Sequence, residues 1–346
     1  MNRLKVNIEP AATIAIAALV GWLVSLTGIP LAWLIGAMLG VVAMSLFKIP
    51  VHQPRRIMPF VRASVGTMLG ASVTLGVLQS LTMWWPSFVF MVAVMLLGGF
   101  VNYHLLRRAF SFGKSESALC SVPGGIAEMI LLSETTGGEQ WRVAIVHAVR
   151  IALAILLIPI LIGFIAENEI VRGGGPVLPD MEWDDAFWFA VCIAAGLLSQ
   201  KLKFIPARIV LVPMLVCGVL HVTGVTDFVV PTQLSNVVQI FIGINVGGRF
   251  VGVSTKLLMQ VMLAAACVVM VQICFAFGSA IVGAGFLNVD PITLALAYSP
   301  GGLAEMSLIA IAIGQEVAII GFHHIARVLG ALFTAPLILK SLTRRP

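Results

Sequence analysis

The chain repeats itself with a period of 177 residues, and this duplication constrains the fold more than any other feature. Residues 118–159 align with residues 295–336 without a gap, and 15 of the 42 positions are identical. The identical positions include charged residues as well as apolar ones, which chance similarity between apolar segments does not produce. Upstream, residues 65–70 align with residues 242–247. The duplication therefore covers nearly the whole chain.

Apolar segments long enough to cross a bilayer recur in both halves. Hydrophobic residues make up 60% of the 346 residues, charged residues make up 10%, and the mean hydropathy is +1.05. A soluble domain cannot bury so much apolar surface. We therefore predict an all-α integral membrane protein whose surroundings are the lipid bilayer. The segments lie at about 11–27, 30–47, 57–79, 86–106, 115–135 and 143–165, and at about 186–200, 206–222, 233–253, 258–283, 291–313 and 318–340.

The basic residues lie singly or in pairs between these apolar segments. Despite a net charge of +6, this pattern indicates membrane orientation rather than phosphate binding, so no nucleic acid partner is expected. Five inverted spans in each half leave Arg172 as the basic residue clearly outside, whereas six parallel spans export six basic residues. We therefore predict two inverted repeats of about five transmembrane helices, with both termini cytoplasmic. Residues 1–166 form the first repeat, 167–185 a polar extracytoplasmic linker, and 186–346 the second repeat.

Each half places helix-breaking residues inside an apolar run. The two PGG segments read CSVPGGIAEMI at 120–130 and YSPGGLAEMSL at 298–308. Proline removes a backbone donor, and glycine permits an unwound chain. Unwound backbone at membrane depth is tolerated inside protein or beside water, so we predict a broken or re-entrant helix in each repeat, with a midplane site between them. The residues assigned to this substrate or ion site are Pro123, Gly124, Gly125, Glu128, Pro300, Gly301, Gly302, Glu305 and Asn245.

Two glutamates recur three residues after the second glycine of each segment. Glu128 and Glu305 lie about one turn into the helix that would begin there. A carboxylate in this place can cap exposed backbone N–H groups and complement the helix dipole. A buried carboxyl can also load and release a proton or bind a cation. The sequence leaves both interpretations open.

Glycines with small-xxx-small spacing recur upstream of the PGG segments. Gly66 and Gly70 in the first half match Gly243 and Gly247 in the second. This spacing predicts close helix packing. Asn245 lies between the second pair and has an apolar counterpart in the first half. It is expected either to contact the substrate or to bond a neighbouring helix.

A histidine and an arginine recur at a spacing of three residues, as His147 with Arg150 and as His324 with Arg327. A buried arginine needs a partner, so a structural ion pair with a glutamate is one interpretation, and binding of an anionic substrate is the other. The histidines either pack in the core or shuttle protons. The predicted supporting charges and proton relay are His147, Arg150, His324, Arg327, Glu139 and Glu316.

The paired PGG segments, each followed by a small residue and then by Glu-Met, together with the half-length repeat, resemble the AbrB family of Gram-negative bacterial inner-membrane proteins. Members are often labelled ammonia monooxygenase or regulator of gene expression. The family is distantly similar to the cation/proton antiporter and bile-acid symporter superfamily. That similarity implies inverted repeats, crossed discontinuous helices, a homodimer, and ion-coupled transport of a small solute.

An enzyme is the least favoured class. Oxygen chemistry at a metal needs clustered His, Cys or carboxylate ligands. The six histidines are scattered, and the five cysteines contain no Cys-x-x-Cys pair. We therefore expect no catalytic residues, no metal and no cofactor beyond H⁺ or Na⁺ as a coupling ion. The alternative to a transporter is a membrane-embedded regulator or sensor that affects gene expression indirectly.

Overall fold

A computed structural model of the chain describes residues 2–80, 83–122, 124, 126–135, 139–165, 183–202, 205, 207–253, 255–328 and 330. Within these residues the regular structure is entirely helical, and no β-strand is present. The prediction of an all-α protein is confirmed to this extent. The linker at 167–182, Pro123, Gly125 and the side chain of Glu128 lie outside the described part.

The helix boundaries follow the distribution of proline and of capping side chains. Proline occupies the first or second position of three helices, where its missing N–H costs nothing. Asp290 caps a fourth site by accepting a hydrogen bond from the backbone N–H of Thr293 at 2.9 Å. The helices are α1 Asn2–Ser25, α2 Ala32–Leu46, α3 Met58–Gly70, α4 Leu75–Ser80, α5 Trp85–Ala109, α6 Lys114–Ser121, α7 Ile126–Thr135, α8 Gln140–Ile165, α9 Trp183–Leu198, α10 Arg208–Val222, α11 Thr232–Gly247, α12 Thr255–Leu287, α13 Pro291–Tyr298, α14 Leu303–Ala312 and α15 Val317–Val328.

One compact unit comprises Met1–Leu81, Pro159–Val251 and Ser307–Ala318. In this unit α2 packs against α1 and α11, while α10 packs against α9 and α3. Each repeat therefore contributes one helix to a pair of helices from the other repeat. The buried core around α1, α2 and α11 consists of Ala17, Ala37, Val41, Ile240 and Ile244.

Glycine pairs allow these helices to approach closely. A β-carbon at Gly66 would collide with the backbone carbonyl of Val210 on α10, and Gly70 lies against the same helix. Gly243 and Gly247 meet the backbone of α2 in the same way. The prediction that these four glycines permit close packing is confirmed.

Unusual backbone angles recur at equivalent positions of the two repeats. Leu31 and Ala207, which precede α2 and α10, have φ angles of 56° and 49°. Ser111 and Asn288, which follow α5 and α12, have φ angles of 55° and 52°. Positive φ is uncommon for residues other than glycine, so shared outliers indicate a shared backbone path. The first pair is 176 residues apart and the second 177, so the repeat carries a one-residue shift near α2 and α10.

The second compact unit comprises Thr82–Ile158, Gly252–Met306 and Ile319–Pro346. In this unit α12 packs against α5 and α13, and α6 packs against α5 and α7. Like the first unit, it takes segments from both repeats, so the compact units do not coincide with the sequence repeats. Its fully buried side chains include Met91, Leu106, Leu119, Met129, Ile155, Ile158 and Leu294.

Three helices are long and apolar enough to cross a membrane, judged by length and composition. They are Trp85–Ala109, Gln140–Phe164 and Lys256–Leu287. A span needs about 20 predominantly apolar residues, and each of these helices has at least that length. Together they indicate a membrane protein, in agreement with the composition.

Each PGG segment lies between two short helices whose boundaries coincide at the 177-residue period. In the first half α6 ends at Ser121 and α7 begins at Ile126. In the second half α13 ends at Tyr298 and α14 begins at Leu303. The residue that follows each first helix has an extended backbone. Proline disfavours helical geometry at the preceding residue, which explains why both helices end at the same point.

Candidate functional site

Two basic side chains of α8 bind carbonyl groups at the C-terminal end of α6. His147 donates from Nε2 to the carbonyl oxygen of Leu119 at 3.1 Å. Arg150 donates to the carbonyl oxygens of Val122 at 3.4 Å and Gly124 at 3.0 Å. The last carbonyls of a helix have no intrahelical donor, and that end of the helix favours positive charge. We term this arrangement the first carbonyl clamp.

The second repeat contains the same arrangement between α15 and α13. His324 donates from Nε2 to the carbonyl oxygen of Leu296 at 3.0 Å. Arg327 donates to the carbonyl oxygens of Ser299 and Gly301. Donors and acceptors all lie 177 residues beyond those of the first clamp. This second carbonyl clamp differs by one printed contact, a hydrogen bond of 2.7 Å from Arg327 to Nδ1 of His324.

Backbone carbonyls take the place of the carboxylate expected beside Arg327. In the part of the chain that the structure describes, no carboxylate forms an ion pair with this guanidinium. Glu305 attracts it only through space. Both terminal nitrogens of Arg327 are engaged, so it cannot bind an anion bidentately without releasing the PGG backbone. Its Nε lies buried with no partner among the described residues.

His324 is fully occupied by the second clamp. Nε2 donates to Leu296, so Nδ1 of the neutral ring is the acceptor for Arg327. A proton added at Nδ1 would face an arginine N–H and break this contact. The geometry therefore favours a structural role for His324 over the proton shuttle that the sequence left open.

Glu305 lies in the first turn of α14 and is 8% exposed. Its carboxylate folds back over Gly302, where a β-carbon would collide with Oε2. This position places negative charge at the positive end of α14. The geometry agrees with the interpretation of Glu305 as a cap, and it explains why the second glycine of the segment cannot carry a side chain.

A methionine covers the first glycine of each PGG segment. A β-carbon at Gly124 would collide with the terminal methyl group of Met129, and one at Gly301 would collide with that of Met306. Both methionines are completely buried. The Gly-Gly and Met residues of the shared sequence therefore form one packing unit in each half.

A cavity lies beside the two PGG segments, within the second compact unit. The volume open to the centres of water-sized molecules is about 30 Å³. One water needs about 10–15 Å³ by the same measure, so the cavity holds one or two waters or a small ion. It is lined by Val94, Met95, Gly98, Gly99, Ser121, Gln272, Phe275, Ala276, Tyr298, Pro300 and Arg327.

Equivalent positions of the two repeats face this cavity. Four pairs of lining residues are 177 positions apart, namely Met95 with Gln272, Gly98 with Phe275, Gly99 with Ala276, and Ser121 with Tyr298. Most of the polar groups come from the second repeat. The side-chain nitrogen and oxygen of Gln272 are buried with no partner among the described residues. The sequence interpretation missed Gln272, although a lone polar residue in an apolar helix is itself a signal.

Tyr298 also belongs to a buried polar network that the first repeat lacks. Its hydroxyl donates to the carbonyl oxygen of Ser87 at 3.0 Å and lies 2.8 Å from the Ser87 hydroxyl. The Ser87 hydroxyl contacts Nε2 of His323 at 2.9 Å, and Nδ1 of His323 donates to the carbonyl oxygen of Ile319 at 2.8 Å. The first repeat has Ser121 and Val146 where the second has Tyr298 and His323. The network therefore distinguishes the two halves.

The remaining predicted residues do not line the cavity. Glu139 is exposed and pairs with Arg142 at 2.8 Å. Glu316 is exposed before α15, and Asn245 lies on α11 in the first compact unit. Sequence reasoning missed Glu116, which is buried and accepts hydrogen bonds from the backbone N–H groups of Gly113 and Glu139. Across the described residues, no group of three or more His, Cys, Asp or Glu is placed to hold a metal ion.

Comparison with known proteins places both repeats within one family. Residues 33–343 match the family described as "Transition state regulatory protein AbrB". A protein of Bacillus subtilis (strain 168), "Uncharacterized protein YhjN", is 25% identical over 352 residues, covering 93% of this chain and 90% of that protein. A protein of Escherichia coli (strain K12), "Putative regulator AbrB", is 26% identical over 325 residues, covering 90% of each. Similar chains thus occur outside Gram-negative bacteria, and this chain belongs to the AbrB family.

Proposed function

We propose that this chain is an ion-coupled secondary transporter or exchanger of a small solute, and that its substrate site is the cavity beside the two PGG segments. One observation carries the proposal. Equivalent positions of the two repeats face a small cavity that contains buried polar atoms without protein partners. Such atoms are costly unless water or a ligand binds them. A site where two repeats meet is typical of transporters with discontinuous helices.

The two carbonyl clamps support the same proposal. A transporter of this class needs non-helical backbone at membrane depth, and every carbonyl there needs a donor. Each clamp supplies such donors from a neighbouring helix, at the point where the PGG segment interrupts the chain. We propose that α6 with α7, and α13 with α14, are the two interrupted elements. The clamps then keep each interruption in one conformation.

The proposed arrangement in the membrane follows the distribution of basic residues. Lysine and arginine favour the cytoplasmic side, which supports two inverted repeats of about five spans, with cytoplasmic termini and an external linker. A bacterial inner membrane and a homodimer are part of the proposal by resemblance to the family. A titration of accessible cysteines introduced near each terminus tests the orientation independently of transport.

The printed names of the relatives introduce a regulator as the second candidate. We propose that any effect on gene expression is indirect and follows from movement of the solute. A transport-dead variant that is still inserted in the membrane separates the two. Loss of the expression phenotype in that variant supports the indirect route, and full retention supports a regulator that acts without transport.

Reconstitution of the full chain into liposomes tests transport itself. An imposed pH or sodium gradient is combined with a panel of small organic and inorganic anions, ammonium and sodium, and flux is compared with protein-free liposomes. We expect gradient-dependent flux of at least one solute. Absence of flux across the panel, for protein that is shown to be folded, would overturn the proposal.

The coupling ion is proposed to be H⁺ or Na⁺, and the two glutamates provide the test. Glu128→Gln and Glu305→Gln keep the size of each side chain and remove its charge. If either glutamate carries the coupling proton, its variant loses the dependence of flux on pH. If both variants keep the wild-type profile, the two residues act as caps and the proton is carried elsewhere.

A further inference from the structure

We infer that the cavity binds a small monovalent anion of halide size, held by Gln272 and the Nε group of Arg327. This inference rests on the proposed function and deepens it, because it names the chemical class that the site accepts. It also assigns a role to Gln272, a residue that neither the repeat nor the PGG sequence singles out.

The first step concerns donors without partners. Arg327 is 5% exposed and lines the cavity, and its Nε has no partner in the described part of the chain. Gln272 lines the same cavity, and its buried Nε2 also lacks a partner there. Two unsatisfied N–H donors beside one small space match the needs of an anion.

The second step concerns charge. A guanidinium remains protonated at physiological pH, so Arg327 places a permanent positive charge in the wall of the cavity. A sodium or ammonium ion in the same space would be repelled at close range. Glu305 neutralises part of this charge from the far side of Gly302, but no carboxylate lines the cavity. The wall therefore favours an anion over a cation.

The third step concerns size and orientation. A volume of about 30 Å³ accepts a single small ion but not a solute with several carbon atoms. The wall contributed by the first repeat is apolar apart from Ser121, whose hydroxyl donates to the carbonyl oxygen of Ala118 at 2.9 Å. Met95 stands opposite in the repeat from Gln272. The anion therefore lies on the side of the second repeat, at Gln272 and Arg327.

Bromide is a suitable probe because it has the proposed size and charge. Purified full-length protein in detergent is titrated with sodium bromide at constant ionic strength, with sodium gluconate as the replaced salt, and the melting midpoint is followed. We expect a saturable rise in the midpoint for wild type. Gln272→Met, which copies the residue of the first repeat, is expected to weaken bromide binding roughly tenfold or more, as loss of a hydrogen bond to an ion does.

Gln260→Met is the matched control, because Gln260 lies exposed on the same helix. It should bind bromide as wild type does. If Gln272→Met does not fold, the anomalous signal of bromide in crystals of the wild-type protein decides, since a peak beside Gln272 and Arg327 is required. No stabilisation by bromide, an equal effect in both variants, or stabilisation by ammonium instead would overturn the inference.

The outcome separates this inference from the proposed function. Bromide binding at the cavity without any flux leaves the anion site standing and removes the transporter. Gradient-driven flux of another solute, unaffected by bromide and by Gln272→Met, leaves the transporter standing and removes the anion site.

Discussion

In the first PGG segment Arg150 donates to the carbonyls that follow α6, and in the second Arg327 donates to the equivalent carbonyls that follow α13. The helix boundaries, the histidine of each clamp and the buried methionine over the first glycine are also shared. These common features all concern backbone groups that the proline and glycines leave without helical partners. The duplication has therefore kept the means of stabilising an interrupted chain.

The side chains that face the cavity differ between the same two segments. Ser121 and Met95 in the first half stand where Tyr298 and Gln272 stand in the second. The helix caps differ as well, because Glu116 serves α6 and Asp290 serves α13. Divergence is concentrated where a ligand would be recognised. The comparison teaches that the scaffold requires both repeats equally, while recognition depends on the second.

The largest expected effect comes from removing the arginine of a clamp. Arg327→Ala leaves the carbonyl oxygens of Ser299 and Gly301 buried without donors, which costs about 2–6 kcal/mol in total. Arg150→Ala should destabilise less, since one of its two contacts measures 3.4 Å. The melting midpoints of both variants, measured in one detergent, check the order. Equal wild-type stability in both would mean that the clamps are not structural.

A smaller effect is expected from adding a methyl group under the covering methionine. Gly301→Ala forces Met306 out of its position and should cost about 1–3 kcal/mol. Gly124→Ala should do the same through Met129, because the packing is repeated. Combining Gly301→Ala with Met306→Val, which shortens the covering side chain, should recover part of the loss. Thermal unfolding of the three variants measures this, and additive losses in the double variant would contradict the packing account.

The smallest effect concerns the network present in one repeat. Tyr298→Phe removes the donor to the Ser87 carbonyl and should cost about 1 kcal/mol. Ser121→Ala, at the equivalent position, removes a local contact to Ala118 and should cost less. Melting midpoints of the two variants sharpen the comparison. A larger loss for Ser121→Ala would show that the network does not stabilise the second half.

The sequence predicted the repeat, the interruption of each apolar run and the close packing at the glycine pairs, because these depend on residue type and spacing. It could not predict the partners of Arg150 and Arg327, since backbone carbonyls leave no trace in residue identity. It also could not predict that each compact unit draws on both repeats, because that arrangement is set by packing between distant segments. Gln272 was missed because its repeat partner is a methionine, although its isolation in an apolar helix marked it.

The central claim is that the solute passes through the cavity beside the two PGG segments, and filling that cavity tests it most directly. Gly99 lines the cavity, so Gly99→Leu should occupy its space. Gly278 lies on α12 with nothing within 4 Å of an added β-carbon, so Gly278→Leu is the matched control. The measurement is the initial rate of gradient-driven flux in liposomes. The account predicts loss of flux in Gly99→Leu and wild-type flux in Gly278→Leu; wild-type flux in a folded Gly99→Leu protein would contradict it.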